Sequence, residues 1–192
     1  MRKRYHEKDL DIFKNTGIDK SIFENLNQTL LASLFAILIF AIPFLLPATQ
    51  LLTGTIVNAI LILAAILLKG NKPYYIVFLP SLATVASGLL FGPFSFFLFF
   101  MMPFIWIGNA ILVFSFRSLY IARKTNYLLT LITGSIAKSA LLFLCASVLF
   151  SFSIIPSLIV DAMGILQLIT ALLGGILAFA ALKLYGKFAK RN

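Results

Sequence analysis

Lys138 is the residue with the most pronounced chemical potential in this 192-residue chain. It stands in TGSIAKSALLFLC, residues 133–145, and no other charge occurs between Thr125 and Val160. An ammonium group in hydrocarbon is costly, so it needs water, a partner or a ligand. Held in a dry recess, it binds a carboxylate or carbonyl oxygen through a charge-assisted hydrogen bond. Asn58 and Gln167 carry amides that donate and accept, Gln50, Thr170 and Asn109 extend the polar set, and Trp106 offers an indole on which a ring can stack. These seven residues, Lys138 first among them, are the candidate substrate contacts. Ser135 stands three positions before Lys138, the spacing of a Ser–Lys nucleophile pair, but no oxyanion or third-residue pattern accompanies it. No enzyme activity is expected. The single cysteine, Cys145, rules out disulfides, thiolate zinc and CxxC chemistry within one chain, and the single histidine, His6, lies near the start. No metal or cofactor is expected.

The elements that must position these groups follow from composition. The chain is 61% hydrophobic and 11% charged, with a mean hydropathy of +1.03. A soluble domain carries about a quarter of its residues as charges, so the chain reads as an integral membrane protein. From Asn25 to Leu68, and again from Pro73 to Phe116, there is no charge. A helix crosses ~30 Å of hydrocarbon in ~20 residues, so each run holds two crossings and a turn. Turn signals fall near the centres, at PFLLPATQ (43–50) and FGPFS (91–95), and a third break falls at SFSIIPS (151–157). The expected fold is an all-α bundle of six transmembrane helices, at roughly 28–46, 50–68, 74–91, 95–116, 127–150 and 162–183.

A net charge of +10 raises the question of nucleic acid, but the positions of the basic residues answer it. They cluster in the first 24 residues, at Lys69 and Lys72, at Arg117, Arg123 and Lys124, and at Lys183, Lys187, Lys190 and Arg191. With six spans every cluster falls on one side, which the positive-inside rule makes cytoplasmic. The expected organisation is a cytoplasmic tail over 1–26 with a short surface helix, a transmembrane domain over 27–185, and a basic cytoplasmic tail over 186–192. The amino-terminal segment is too acidic for a signal peptide. The chain is expected in the cell membrane with both termini inside.

Depth then sorts the polar residues. Lys138 is ~18 Å above the cytoplasmic end of its helix and ~12 Å below the outer surface, counted at 1.5 Å per residue. Its side chain reaches only ~6 Å, so it does not snorkel easily in either direction. Asn58 and Thr170 fall at a similar level, with Gln167 a turn above and Asn109 deeper. Gln50, Gly54 and Asn58 share one face, as do Thr130, Gly134 and Lys138, and as do Gln167, Thr170, Gly174, Ala178 and Ala181. These faces are expected to turn inward around a pocket in the outer half, above a floor of small residues. Taken singly, such hydroxyls and amides more often hold helices together, at ~0.6 kcal/mol each; convergence from three helices is what points to a site.

Six spans in a chain of this length, both ends cytoplasmic, and Ala32 and Ala36 four apart in ASLFAILIFA (32–41) resemble the substrate-binding S component of energy-coupling factor (ECF) transporters. PATQLLTGTIVNAIL (47–61), MPFIWIGNAILV (102–113) and GILQLITALLGG (164–175) are similar to stretches of an uncharacterised subgroup of that family. The resemblance implies a binding subunit for a small water-soluble vitamin or precursor. Its partners would be a transmembrane coupling subunit and two cytosolic ATPases, with Ala32 and Ala36 on the docking face. It also implies substrate contacts in the outer halves of the later helices, Gln167 and Lys138 among them. The chain has no GxxxxGK[ST] motif, so it supplies no ATPase of that kind itself. Two other classes stand beside this reading: a structural or assembly subunit without a ligand, and an autonomous small carrier.

Overall fold

The computed structural model describes residues 27–46, 50–88 and 92–189. The expected tail over 1–26 lies outside them, as do residues 190–192. The described residues form helices joined by short turns: α1 Gln28–Leu45, α2 Gln50–Leu67, α3 Lys72–Tyr75 and α4 Leu79–Ser87. A tight 3₁₀ stretch, Gly92–Phe97, leads into α5 Leu98–Ser115, which continues as a π-helical stretch, Phe116–Ala122. Next come α6 Tyr127–Ser151, α7 Ser157–Asp161, a second π-helical stretch Ala162–Leu166, and α8 Gln167–Ala189. The chain is a multi-pass membrane protein by this measure: among the described residues five helical segments are long and apolar enough to cross a bilayer, Gln28–Leu45, Gln50–Leu67, Phe94–Ala122, Tyr127–Ser151 and Ser157–Tyr185.

The third expected span, 74–91, is not a continuous helix. Pro80 lacks the N–H that would bond the carbonyl of Ile76, and its ring crowds that carbonyl. Ile76 O instead accepts from Leu79 N at 3.2 Å, so the chain breaks over Ile76–Phe78 and restarts as α4 with Pro80 in its first turn. Gly88, at φ 61°, ends α4 in the left-handed conformation, which glycine adopts without a Cβ clash. Elsewhere the ends have ordinary causes. Asn27 Oδ1 accepts from Thr29 N at 3.0 Å and Asn126 Oδ1 from Leu128 N at 2.8 Å, capping α1 and α6.

Two apolar clusters hold the bundle. The larger joins α1, α2, the Ile76–Val77 break, the end of α5, and Ala178 and Leu182 of α8. The smaller joins Leu98, Met101 and Ile105 of α5 to Leu142 and Ala146 of α6 and to the segment Ile155–Met163. Helices α2 and α8 approach closely because Gly174 has no side chain. A methyl there would lie 2.7 Å from Asn58 Cβ and 2.7 Å from Thr55 O. Ala32 and Ala36 are half-buried and pack against the larger cluster, so they turn toward the bundle.

A set of contacts gathers the basic loops at one end. Lys72 Nζ donates to Thr29 Oγ1 at 3.1 Å, and Arg117 donates to Leu68 O at 2.8 Å and Gly70 O at 3.0 Å. Tyr127 meets Phe116, Tyr120 and Phe179, and Lys183 sits over the Phe179 ring. The start of α1, the end of α2, the π-helical end of α5, the start of α6 and the Phe179–Lys183 turn of α8 therefore adjoin.

Candidate ligand-binding site

Lys138 lies on the face of α6 that also carries Leu131, Gly134, Ser135 and Leu142, all buried. Its side chain is 2% exposed, and Nζ donates to Asn58 Oδ1 on α2 at 2.6 Å. The Asn58 amide, equally buried, donates on to Thr170 Oγ1 of α8 at 3.3 Å, and that hydroxyl donates to Gln167 O at 3.1 Å. Three helices are thus linked by one chain of donors, with a short charge-assisted bond at its head and a long, weak one behind it. An ammonium has three N–H groups, and one protein acceptor is seen for it among the described residues. The acceptor is a neutral amide. Asp161, the only acid among the described residues, is exposed.

A cavity of about 70 Å³ opens beside Lys138. Its walls are Gln50, Thr53, Gly54, Val57 and Asn58 of α2; Pro80, Ser81 and Thr84 of α4; Leu98, Ile105 and Asn109 of α5; Lys138; Met163; and Gln167 and Thr170 at the start of α8. Its volume is several times the roughly 10–15 Å³ that a single water needs, so the cavity is roomy enough for ordered water or a small solute. Met163, Gln167 and Thr170 face it together because they stand at i, i+4 and i+7 across the π-helical stretch, where Gly164 lets the Phe143 ring approach to 2.9 Å of where a Cβ would stand.

Six of the seven sequence candidates, Lys138, Asn58, Gln167, Gln50, Thr170 and Asn109, line this one cavity. Trp106 is not part of its wall. It donates Nε1 to Ser81 Oγ at 2.6 Å and meets Phe78 edge-on at 5.2 Å. Asn109 has a second task, donating Nδ2 to Val77 O at 3.0 Å and satisfying a carbonyl freed by the break before α4. Ser81 Oγ donates to Phe78 O at 3.1 Å in the same break. Irregular backbone at membrane depth persists where protein groups take up its polar atoms in this way. The wall residues Ser81 and Thr84 were not singled out from sequence; the signal for them is Pro80 inside an apolar run, which exposes neighbouring polar groups to the bundle interior.

Ser135 Oγ is buried with no hydrogen-bond partner among the described residues, while the Lys138 ammonium is directed to Asn58. The pair is therefore not arranged as nucleophile and base. No group of three metal-ligating side chains occurs among the described residues. The arrangement suits binding: a fixed cation and several amides and hydroxyls share the wall with Leu98, Ile105 and Met163 of the smaller apolar cluster. No family model, curated protein or solved structure matches the chain.

Proposed function

We propose that this chain is the solute-binding subunit of an ATP-driven importer of the ECF type. It takes up a small water-soluble vitamin or precursor from outside the cell membrane and passes it inward with a coupling subunit and two cytosolic ATPases. One observation carries the reading: a buried ammonium whose only protein acceptor among the described residues is an amide faces a cavity walled by several helices. A cation kept solely to hold helices together would be expected to have a carboxylate opposite it, because an amide offsets little of the desolvation of a charge. Two further points support it. The basic loops adjoin at one end, and by the positive-inside rule that end faces the cytosol, with both termini inside. Helix α1 is the least buried of the five long segments, with 17% of its span inside the bundle, which leaves its outward face, around Leu30, Leu34 and Ile37 rather than Ala32 and Ala36, free to meet a coupling subunit beside lipid.

The test has two parts. The chain is purified in nanodiscs and examined by native mass spectrometry, where a retained small molecule that disappears in Lys138→Met is expected. It is then reconstituted in proteoliposomes, where uptake of that molecule is expected only when the coupling subunit and ATPases are included and ATP is present. Flux with the chain alone would make it an autonomous carrier. No bound molecule, together with loss of stability in Lys138→Met, would make the Lys138–Asn58 link a structural bolt in an assembly subunit.

A further inference from the structure

We infer that the solute is a short organic monocarboxylate: one negative charge at one end and a small apolar body at the other. The inference rests on the reading of the chain as a binding subunit and narrows what it binds. Charge decides the first half. Among the described residues, Lys138 is the only charged one in the cavity wall, and no acid lines it. One negative charge is matched there. A second would be buried without a partner, and a cation would face the ammonium directly; both are strongly disfavoured.

Geometry assigns the contacts. Lys138 Nζ already points along the Asn58 amide, and the bond from Asn58 Nδ2 to Thr170 Oγ1 is long at 3.3 Å. One carboxylate oxygen accepts from Nζ and the other from Asn58 Nδ2, which exchanges a weak neutral bond for a charge-assisted one. Leu98, Ile105 and Met163 supply the apolar part of the wall. They belong to the smaller apolar cluster and pack against the solute's apolar body. Space sets the length. A recess of about 70 Å³ suits a short body.

The experiment uses the full chain in nanodiscs and a size-matched panel of butyrate, butyramide, butylammonium and succinate, read by calorimetry at constant ionic strength. Butyrate is expected to bind at least about tenfold more tightly than each of the others, the ratio that one charge-assisted bond in place of a neutral one supplies. Met163→Ala, which removes apolar bulk from the wall, is expected to shift preference from butyrate toward hexanoate by about tenfold. That variant keeps the test open should Lys138→Met fail to fold. Binding of succinate or butylammonium as tightly as butyrate overturns the inference, and so does a Met163→Ala protein with unchanged preference. If butyrate does not bind but native mass spectrometry shows another retained solute, this inference falls and the binding-subunit reading stands. If neither is found, both fall.

Discussion

Removing either partner of the Lys138–Asn58 contact has unequal consequences, because the two halves leave different orphans. Asn58→Leu leaves an ammonium in the bundle with no protein acceptor, a loss of about 3–5 kcal/mol by analogy with broken buried charge pairs. Lys138→Met leaves a neutral amide oxygen unbonded, about 1–3 kcal/mol. The double variant Lys138→Met/Asn58→Leu removes both and is expected to be more stable than Asn58→Leu alone. Unfolding midpoints in a mixed-micelle titration check this, and strict additivity of the two losses would contradict it. Much of this cluster was legible in the sequence. Helical rise puts Asn58, Lys138 and Thr170 at one depth, and their i, i+4 companions give each a face. Trp106 was not legible in the same way. Its depth is right for the cavity, but an indole N–H needs an acceptor, and the acceptor, Ser81, is placed by a helix break that hydropathy does not reveal.

Between helices, two places set the shape of the cavity. At the first, Gly174 lets α8 lie against Asn58 and Thr55 of α2, and that approach holds Asn58 beside Thr170. Gly174→Ala drives a methyl into backbone as well as side chain, so neither neighbour can rotate away. It is expected to destabilise the protein by about 1–3 kcal/mol and to weaken ligand retention, whereas a solvent- or lipid-facing glycine would show neither effect. Thermal unfolding and native mass spectrometry on the same preparation read both. At the second, Asn109 bonds Val77 O in the break between α3 and α4. Asn109→Leu keeps the volume but leaves a buried carbonyl without a donor, a loss of about 1–3 kcal/mol; a midpoint unchanged from the natural protein would show that water replaces the amide. The sequence suggested a continuous span over 74–91, because charge-free length is blind to where a helix is interrupted. Pro80 was visible, but a proline inside an apolar run is compatible with a kink or a first turn, and only the Ile76–Leu79 turn decides which. The long helices were easier. Length and hydropathy alone mark them, whereas the Asn27 and Asn126 caps that start two of them emerge from the structure.

For the molecule as a whole, the charge distribution is a statement about orientation. Lys69, Lys72, Arg117, Arg123, Lys124 and Lys183 fall on loops or helix ends that adjoin through the Lys72–Thr29, Arg117–Leu68, Tyr120–Tyr127 and Tyr127–Phe179 contacts. The turn between α6 and α7, at 152–156, carries no basic residue. If that charge asymmetry sets the topology, the turn after α5 faces the cytosol and the turn after α6 faces outward. The cavity, walled in part by the starts of α2 and α8, then lies in the outer half of the bundle, as the importer proposal expects. The chain is convenient for testing this, since Cys145 is its only cysteine and Cys145→Ser gives a background without thiols. Ala122 and Ser157 are both exposed, at the end of the π-helical stretch after α5 and at the start of α7. In intact cells a membrane-impermeant maleimide is expected to label Ser157→Cys and not Ala122→Cys, and permeabilised cells are expected to label both. Labelling of Ala122→Cys from outside would invert the protein, place Lys138 nearer the cytosolic face, and turn a receptor for incoming solute into one that meets its ligand from within.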